Sequence, residues 1–139
     1  MSTKSRGTAA ERDLVHKFWA KNWACFRAAG SGSMKYPMPD LIAGNNLRKL
    51  AIEVKTTTLN YQYFTKKEIQ ELQLFATLFG AEPWVAIKFS KKPWYFLTLE
   101  DLEETPKLYG AKKEIAERRG LEFEEIINHE WNGVKDTKK

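Results

Sequence analysis

Three residues combine types and spacing that could do chemistry: Asp40, Glu53 and Lys55, in "PDLIAGNNLRKLAIEVKT". Residues two apart on a strand share a face, so Glu53 and Lys55 project together while Ile52 and Val54 supply burial. Pro39 forces an extended entry for Asp40. A hairpin turning about "NNLRK" would carry Asp40 to the neighbourhood of Glu53 and Lys55. Two carboxylates and one ammonium in a sheet core are costly unless paired or bound to a metal. One Glu–Lys pair is an ordinary ion pair; a second carboxylate leaves excess negative charge. A hard cation held through oxygen ligands resolves the excess, and Mg²⁺ typically takes one or two carboxylates plus waters and phosphate oxygens. Such an ion activates water and screens charge on a phosphate, with a lysine to orient the water or stabilise the transition state. The pattern P-D-x12-E-V-K therefore reads as a metal-dependent phosphodiester-hydrolysing site. The [DE]-x-K portion alone arises often by chance; the proline-led aspartate makes it more specific.

Two further features bear on this reading. Glu11 lies four residues before Val15 and seven before Phe18, so it continues the apolar stripe of the first helix. It is either the partner of Thr8 in a capping box or a third acid at the site. In "RAAGSGS", Arg27 ends a strand ahead of a Gly/Ser loop, which is either a passive connector or a phosphate-contacting loop.

These side chains need elements to position them. A helix is expected from Thr8 to about Trp23, with Leu14, Val15, Phe18 and Trp19 as its apolar stripe. "ACFR", "DLIAG" and "LAIEVKT" read as strands. "TKKE" at 65–68 is a capping box for a helix that stops at Gly80. Ile69, Leu72, Leu74, Phe75, Ala76, Leu78 and Phe79 give that helix an apolar face wider than one core contact needs. It sits either in a wide groove of its own chain or between its sheet and a partner subunit. "WVAIKF" and "WYFLTL" read as neighbouring strands, "KKEIAERRG" as a short helix, and "LEFEEII" as strand or helix. The order predicts one α/β domain over residues 1–139, with a mobile basic arm at 1–7 and a disordered tail at 133–139.

The 139 residues suffice for one core. No apolar run approaches the roughly 20 residues that cross a bilayer, and the N-terminus has no apolar signal region. A single cysteine, Cys25, excludes an internal disulfide and fits a reducing compartment; it reads as a buried structural thiol. The expected location is cytoplasmic, at the nucleoid. The net charge of +5 is uneven: +6 over residues 1–60, +2 over 61–99 and −3 over 100–139. A basic N-terminal half suggests a polyanion such as nucleic acid, or only a solvated Lys/Arg surface. His16 and His129 are not spaced as a metal pair, no Walker A or dinucleotide fingerprint occurs, and Trp84, Trp94 and Trp131 read as packing rather than base stacking.

"KSRGTAAERDLV", "FRAAGSGS", "PDLIAGN" and "AIEVK" resemble, in order and spacing, motifs of the archaeal Holliday junction resolvases, over about residues 4–99. The resemblance implies a restriction-endonuclease-like PD-(D/E)XK core: an α/β fold with a central mixed five-stranded sheet flanked by helices. It implies a homodimeric, Mg²⁺-dependent nuclease, with Mn²⁺ as a substitute ion, that acts on four-way junction DNA with paired nicks. It places Glu11, Asp40, Glu53 and Lys55 at catalytic positions. The metal would be held by Asp40, Glu53 and the Val54 carbonyl, with Glu11 as a further candidate. Arg6, Arg12, Arg27, Ser31 and Ser33 are implied in DNA binding, and Leu72, Phe75 and Phe79 in the dimer interface. Two rivals stand beside this reading: another nuclease of the same fold acting on duplex or flap DNA, and a non-catalytic DNA-binding module.

Overall fold

The computed structural model describes residues 3–28 and 36–129, with side chains from residue 7 onward. The first helix, α1, spans Thr3–Ala20. It starts five residues earlier than expected, so Thr8 lies inside it and caps nothing, and residues 3–7 continue the helix instead of forming an arm. It also ends before Trp23. Asn22 takes the left-handed conformation at φ 65°, and the Trp23 N–H returns to the Phe18 carbonyl at 3.0 Å. Asparagine is one of the few residues that enter this region readily, which fixes the stop here. The expected tail at 133–139 lies outside the described residues.

Strands β1 (Ala24–Arg27), β2 (Leu41–Gly44) and β3 (Lys49–Thr57) follow, then β4 (Tyr61–Thr65), α2 (Lys66–Phe79), β5 (Glu82–Phe89) and β6 (Trp94–Leu97). Five of them form the central sheet in the order β1-β2-β3-β5-β6. The pairs are antiparallel except β3 with β5, which run parallel. The parallel pair requires a crossover, and α2 supplies it. The expected mixed five-stranded α/β sheet is therefore present. The β2–β3 hairpin is in the register that matters, with Leu41 opposite Ile52.

Alternation sorts the sheet residues onto two faces. Leu41, Leu50, Ile52, Val54, Trp84 and Phe96 pack under α1 with Leu14 and Phe18. Ile42, Ala51, Val85 and Ile87 pack under α2 with Ile69, Leu72 and Ala76. Cys25 belongs to the α1 side, buried, with its thiol pushed up to about 12 by burial. That leaves it a structural residue, as expected. Trp84 and Trp94 are buried, and the Trp94 indole donates to Asp13 at 2.9 Å.

Two strands and two helices complete the C-terminal part, which differs from the loose end expected. β4 pairs with β8 (Leu108–Lys112), and β8 pairs with β7 (Glu103–Glu104), making a second sheet. The "KEIAERR" helix is α3 (Lys113–Arg119). "LEFEEII" resolves as helix α4 (Phe123–Asn128), whose Phe123 ring meets Phe18 at 5.0 Å.

The capping box of α2 forms as expected: Thr65 caps, Glu68 reciprocates, and Gly80 ends the helix at φ 79°. The wide apolar face then divides. Ile69, Leu72 and Ala76 are buried in this chain's own core, whereas Leu74, Leu78 and Phe79 are 48%, 79% and 45% exposed. Leu72 is at 1% exposure, so it cannot serve a partner subunit as expected. Phe75 is half-buried and stacks on Phe79 at 5.2 Å.

Candidate active site

The sheet brings Asp40, Glu53 and Lys55 to one end of its α2-side face. Asp40 sits just before β2. Its Oδ2 accepts from the Val54 N–H at 2.8 Å, closing the hairpin where the backbone ladder stops. In an extended strand the N–H and C=O of one residue point to the same side. The Val54 carbonyl therefore faces the Asp40 side as well, where β2 has ended.

The acids are crowded and screened from water. Burial, then the proximity of Glu11 and Glu68, push the Asp40 carboxyl up to about 6, against the pull of its Val54 bond and of Lys55. Burial, then Asp40 and Glu68, push Glu53 up to about 9. Two carboxylates that resist ionising together mark a place that lacks positive charge. Lys55 supplies one cation. Burial disfavours its charge, but the Glu68 carboxylate at 2.8 Å and the two acids outweigh this and raise its pKa.

Glu68 was expected only as a helix cap. In the structure its Oε1 accepts from the Thr65 N–H at 2.8 Å while its Oε2 accepts from Lys55 at 2.8 Å. Burial disfavours its charge, but the bonds to Lys55 and Thr65 outweigh this and lower its pKa.

Glu11 does not act as a cap. It reaches across from α1 to bond Arg27 Nε at 2.8 Å. That ion pair joins the end of β1 to the helix at the rim of the acidic cluster. Arg12 is exposed beside it. Among the described residues, no three His, Cys, Asp or Glu side chains converge as a metal cage. Glu11 is near enough to raise the pKa of Asp40 and Glu53, while its carboxylate accepts from Arg27. What fits a metal is the pair Asp40 and Glu53 with the Val54 carbonyl, all hard oxygen donors. Waters and phosphate oxygens would complete the shell of a hard divalent ion. The raised pKa values of the two acids favour the same conclusion, since a bound cation relieves their repulsion. Ser31, Ser33 and the side chain of Arg6 lie outside the described residues. No helix among the described residues is long and apolar enough to cross a membrane.

A PD…ExK cluster at the end of a mixed five-stranded sheet, with helices on both faces, defines a nuclease-type α/β core. Comparison with known proteins narrows this. The profile of the archaeal Holliday junction resolvase (hjc) family matches residues 2–133, and the chain belongs to that family. The match extends past residue 99 and includes most of the acidic C-terminal part, which the motifs alone did not reach. The crossover junction endodeoxyribonuclease Hjc of Archaeoglobus fulgidus is 42% identical over 129 residues, covering 88% of this chain and 95% of that protein. The protein of the same name from Sulfolobus acidocaldarius is 32% identical, covering 99% of this chain and 96% of that one. A solved structure of Archaeoglobus fulgidus Hjc, described as a Holliday junction resolvase from an archaeal hyperthermophile, superposes with a TM-score of 0.81. It has 38% identity and covers 86% of this chain and 98% of that one.

Proposed function

We propose that this chain is a crossover junction endodeoxyribonuclease that hydrolyses phosphodiester bonds in four-way DNA junctions. The observation that carries the reading is the convergence of Asp40, Glu53 and Lys55 on one face, held by the Asp40–Val54 bond, in a chain matched by the resolvase family over residues 2–133. The donor set suits Mg²⁺, and Mn²⁺ in its place. When bound, such an ion would supply Lewis acidity and a more acidic water. Asp40, Glu53 and the Val54 carbonyl would hold it. Lys55 would orient the attacking water and stabilise negative charge gathering on the phosphate. Arg12 and Arg27, with Arg6, Ser31 and Ser33, would contact the DNA backbone. Such contacts position DNA without reading sequence, so the junction would be selected by shape.

The exposed part of α2 supports a homodimer. Leu74, Leu78 and Phe79 form an apolar strip on a helix whose other side is already committed to the core. A two-fold axis would place two sites on one junction, and paired nicks on opposed strands follow from that symmetry. A chromosomal DNA substrate goes with work in the cytoplasm at the nucleoid. The test compares cleavage of a four-way junction with that of its linear arms in Mg²⁺. Junction-restricted paired nicking supports the reading; equal rates would favour a general duplex nuclease of the same fold.

A further inference from the structure

Lys55 needs a fixed position to act, yet its side chain has four rotatable bonds and shares its strand face with Glu53, beside Asp40. Left to itself, the ammonium would settle on those carboxylates, which the proposed function assigns to metal. Glu68 offers it a third carboxylate. The ion pair spans 2.8 Å with both side chains 29% exposed, so it is neither an open surface pair nor a sealed one. Glu68 is itself immobilised. Its second oxygen holds the Thr65 N–H, and its own N–H donates to the Thr65 hydroxyl at 3.0 Å. A carboxylate whose second oxygen is fixed by a backbone N–H is a rigid anchor, which an exposed glutamate is not.

We infer that Glu68 is a positioning residue of the active site, holding the Lys55 ammonium off Asp40 and Glu53 and aimed at the reacting phosphate. This rests on the nuclease reading above. It also gives the α2 capping box a second task, linking the first turn of the crossover helix to the catalytic strand β3. An amide at position 68 separates the two tasks. Glutamine has one oxygen where the carboxylate has two, so with that oxygen on the Thr65 N–H it turns an NH₂ donor toward the ammonium. Thr65→Ala does the reverse, removing the capping hydroxyl while leaving the carboxylate for Lys55.

The experiment measures single-turnover junction cleavage in Mg²⁺ by the full chain, junction affinity in the absence of metal, Mn²⁺ binding by calorimetry, and Tm. For Glu68→Gln the expected result is a rate about tenfold or more below wild type, a change that one lost transition-state interaction readily produces. Junction affinity and Tm should stay near wild type, and Mn²⁺ should bind severalfold more weakly as Lys55 moves onto its ligands. Thr65→Ala should lower Tm yet keep the rate within about twofold. If Glu68→Gln cuts junctions within about twofold of wild type, the positioning role is wrong. It is equally wrong if Thr65→Ala loses as much rate as Glu68→Gln, because the effect would then be helix capping. A wild-type protein that cuts no junction would instead overturn the nuclease reading itself, and the inference with it.

Discussion

Neutralising Asp40 should make the metal-free protein more stable while destroying its activity. The carboxyl is pushed from 3.8 to about 6, first by burial and then by the neighbouring acids. Because the folded-state pKa lies above the unfolded one, this residue's contribution to stability is full below about pH 3.8. It is lost as pH rises through about 6. A shift of about two units at about 1.4 kcal/mol each gives roughly 3 kcal/mol of strain in the folded state near pH 8. Asp40→Asn keeps a side-chain oxygen to accept from the Val54 N–H, so it removes charge without removing the bond. For a domain of this size, 3 kcal/mol is about 10 °C in Tm, and partial relaxation makes that an upper bound. Calorimetry in chelator should show Asp40→Asn melting several degrees above wild type near pH 8, with most of the gap closed near pH 4. Saturating Mg²⁺ should stabilise the wild type and not the variant. Cleavage should fall by at least about a thousandfold (on the order of 4 kcal/mol of transition-state stabilisation). An Asn variant that melts at or below wild type near pH 8, or shows the same offset at both pH values, would refute this account of the acidic cluster.

Four other outcomes are expected. Arg48 holds the buried Glu82 through two bonds of 2.8 Å and also donates to the Ile126 carbonyl. Arg48→Met leaves that buried carboxylate with no cation and only the Trp84 indole donating to it, and should cost about 3–5 kcal/mol in urea unfolding. Leu72→Ala should cost about 2–5 kcal/mol of stability through the cavity it opens. Phe79→Ala should cost little fold stability but shift sedimentation toward the monomer, and an unchanged sedimentation profile would remove α2 from the interface. Junction affinity should fall steeply with salt, and Arg27→Ala should flatten the slope of log K against log salt by about one.

How far the sequence revealed the site depended on how local each cause was. Asp40, Glu53 and Lys55 could be read because a strand's period of two, a proline and one hairpin suffice to bring them together. Glu68 could not. Its place in the capping box with Thr65 accounts for it fully, and its second partner lies 13 residues away. Thr8 misled for the opposite reason: a threonine followed three residues later by a glutamate also occurs inside a continuing helix. Glu11 was correctly placed on the inward side, but its partner, Arg27, depends on how α1 crosses the sheet. Strand β4 was invisible because its mate, β8, comes more than forty residues later. The width of the α2 face left a wide groove and a partner subunit both open, and did not say which of its residues this chain's own core takes. Leu72 belongs to the core because β3 and β5 lie beneath it, a fact of topology that no heptad-scale pattern contains.

The Asp40–Glu53–Lys55 cluster is expected to cut four-way junctions selectively. The direct measurement is cleavage by purified protein in Mg²⁺ of a four-way junction against its own linear arms, with Asp40→Asn in parallel. Paired nicks are expected across the junction and none in the arms, with no cutting but retained binding in the variant. Cleavage of arms and junction at equal rates, or undiminished cutting by Asp40→Asn, would contradict that expectation.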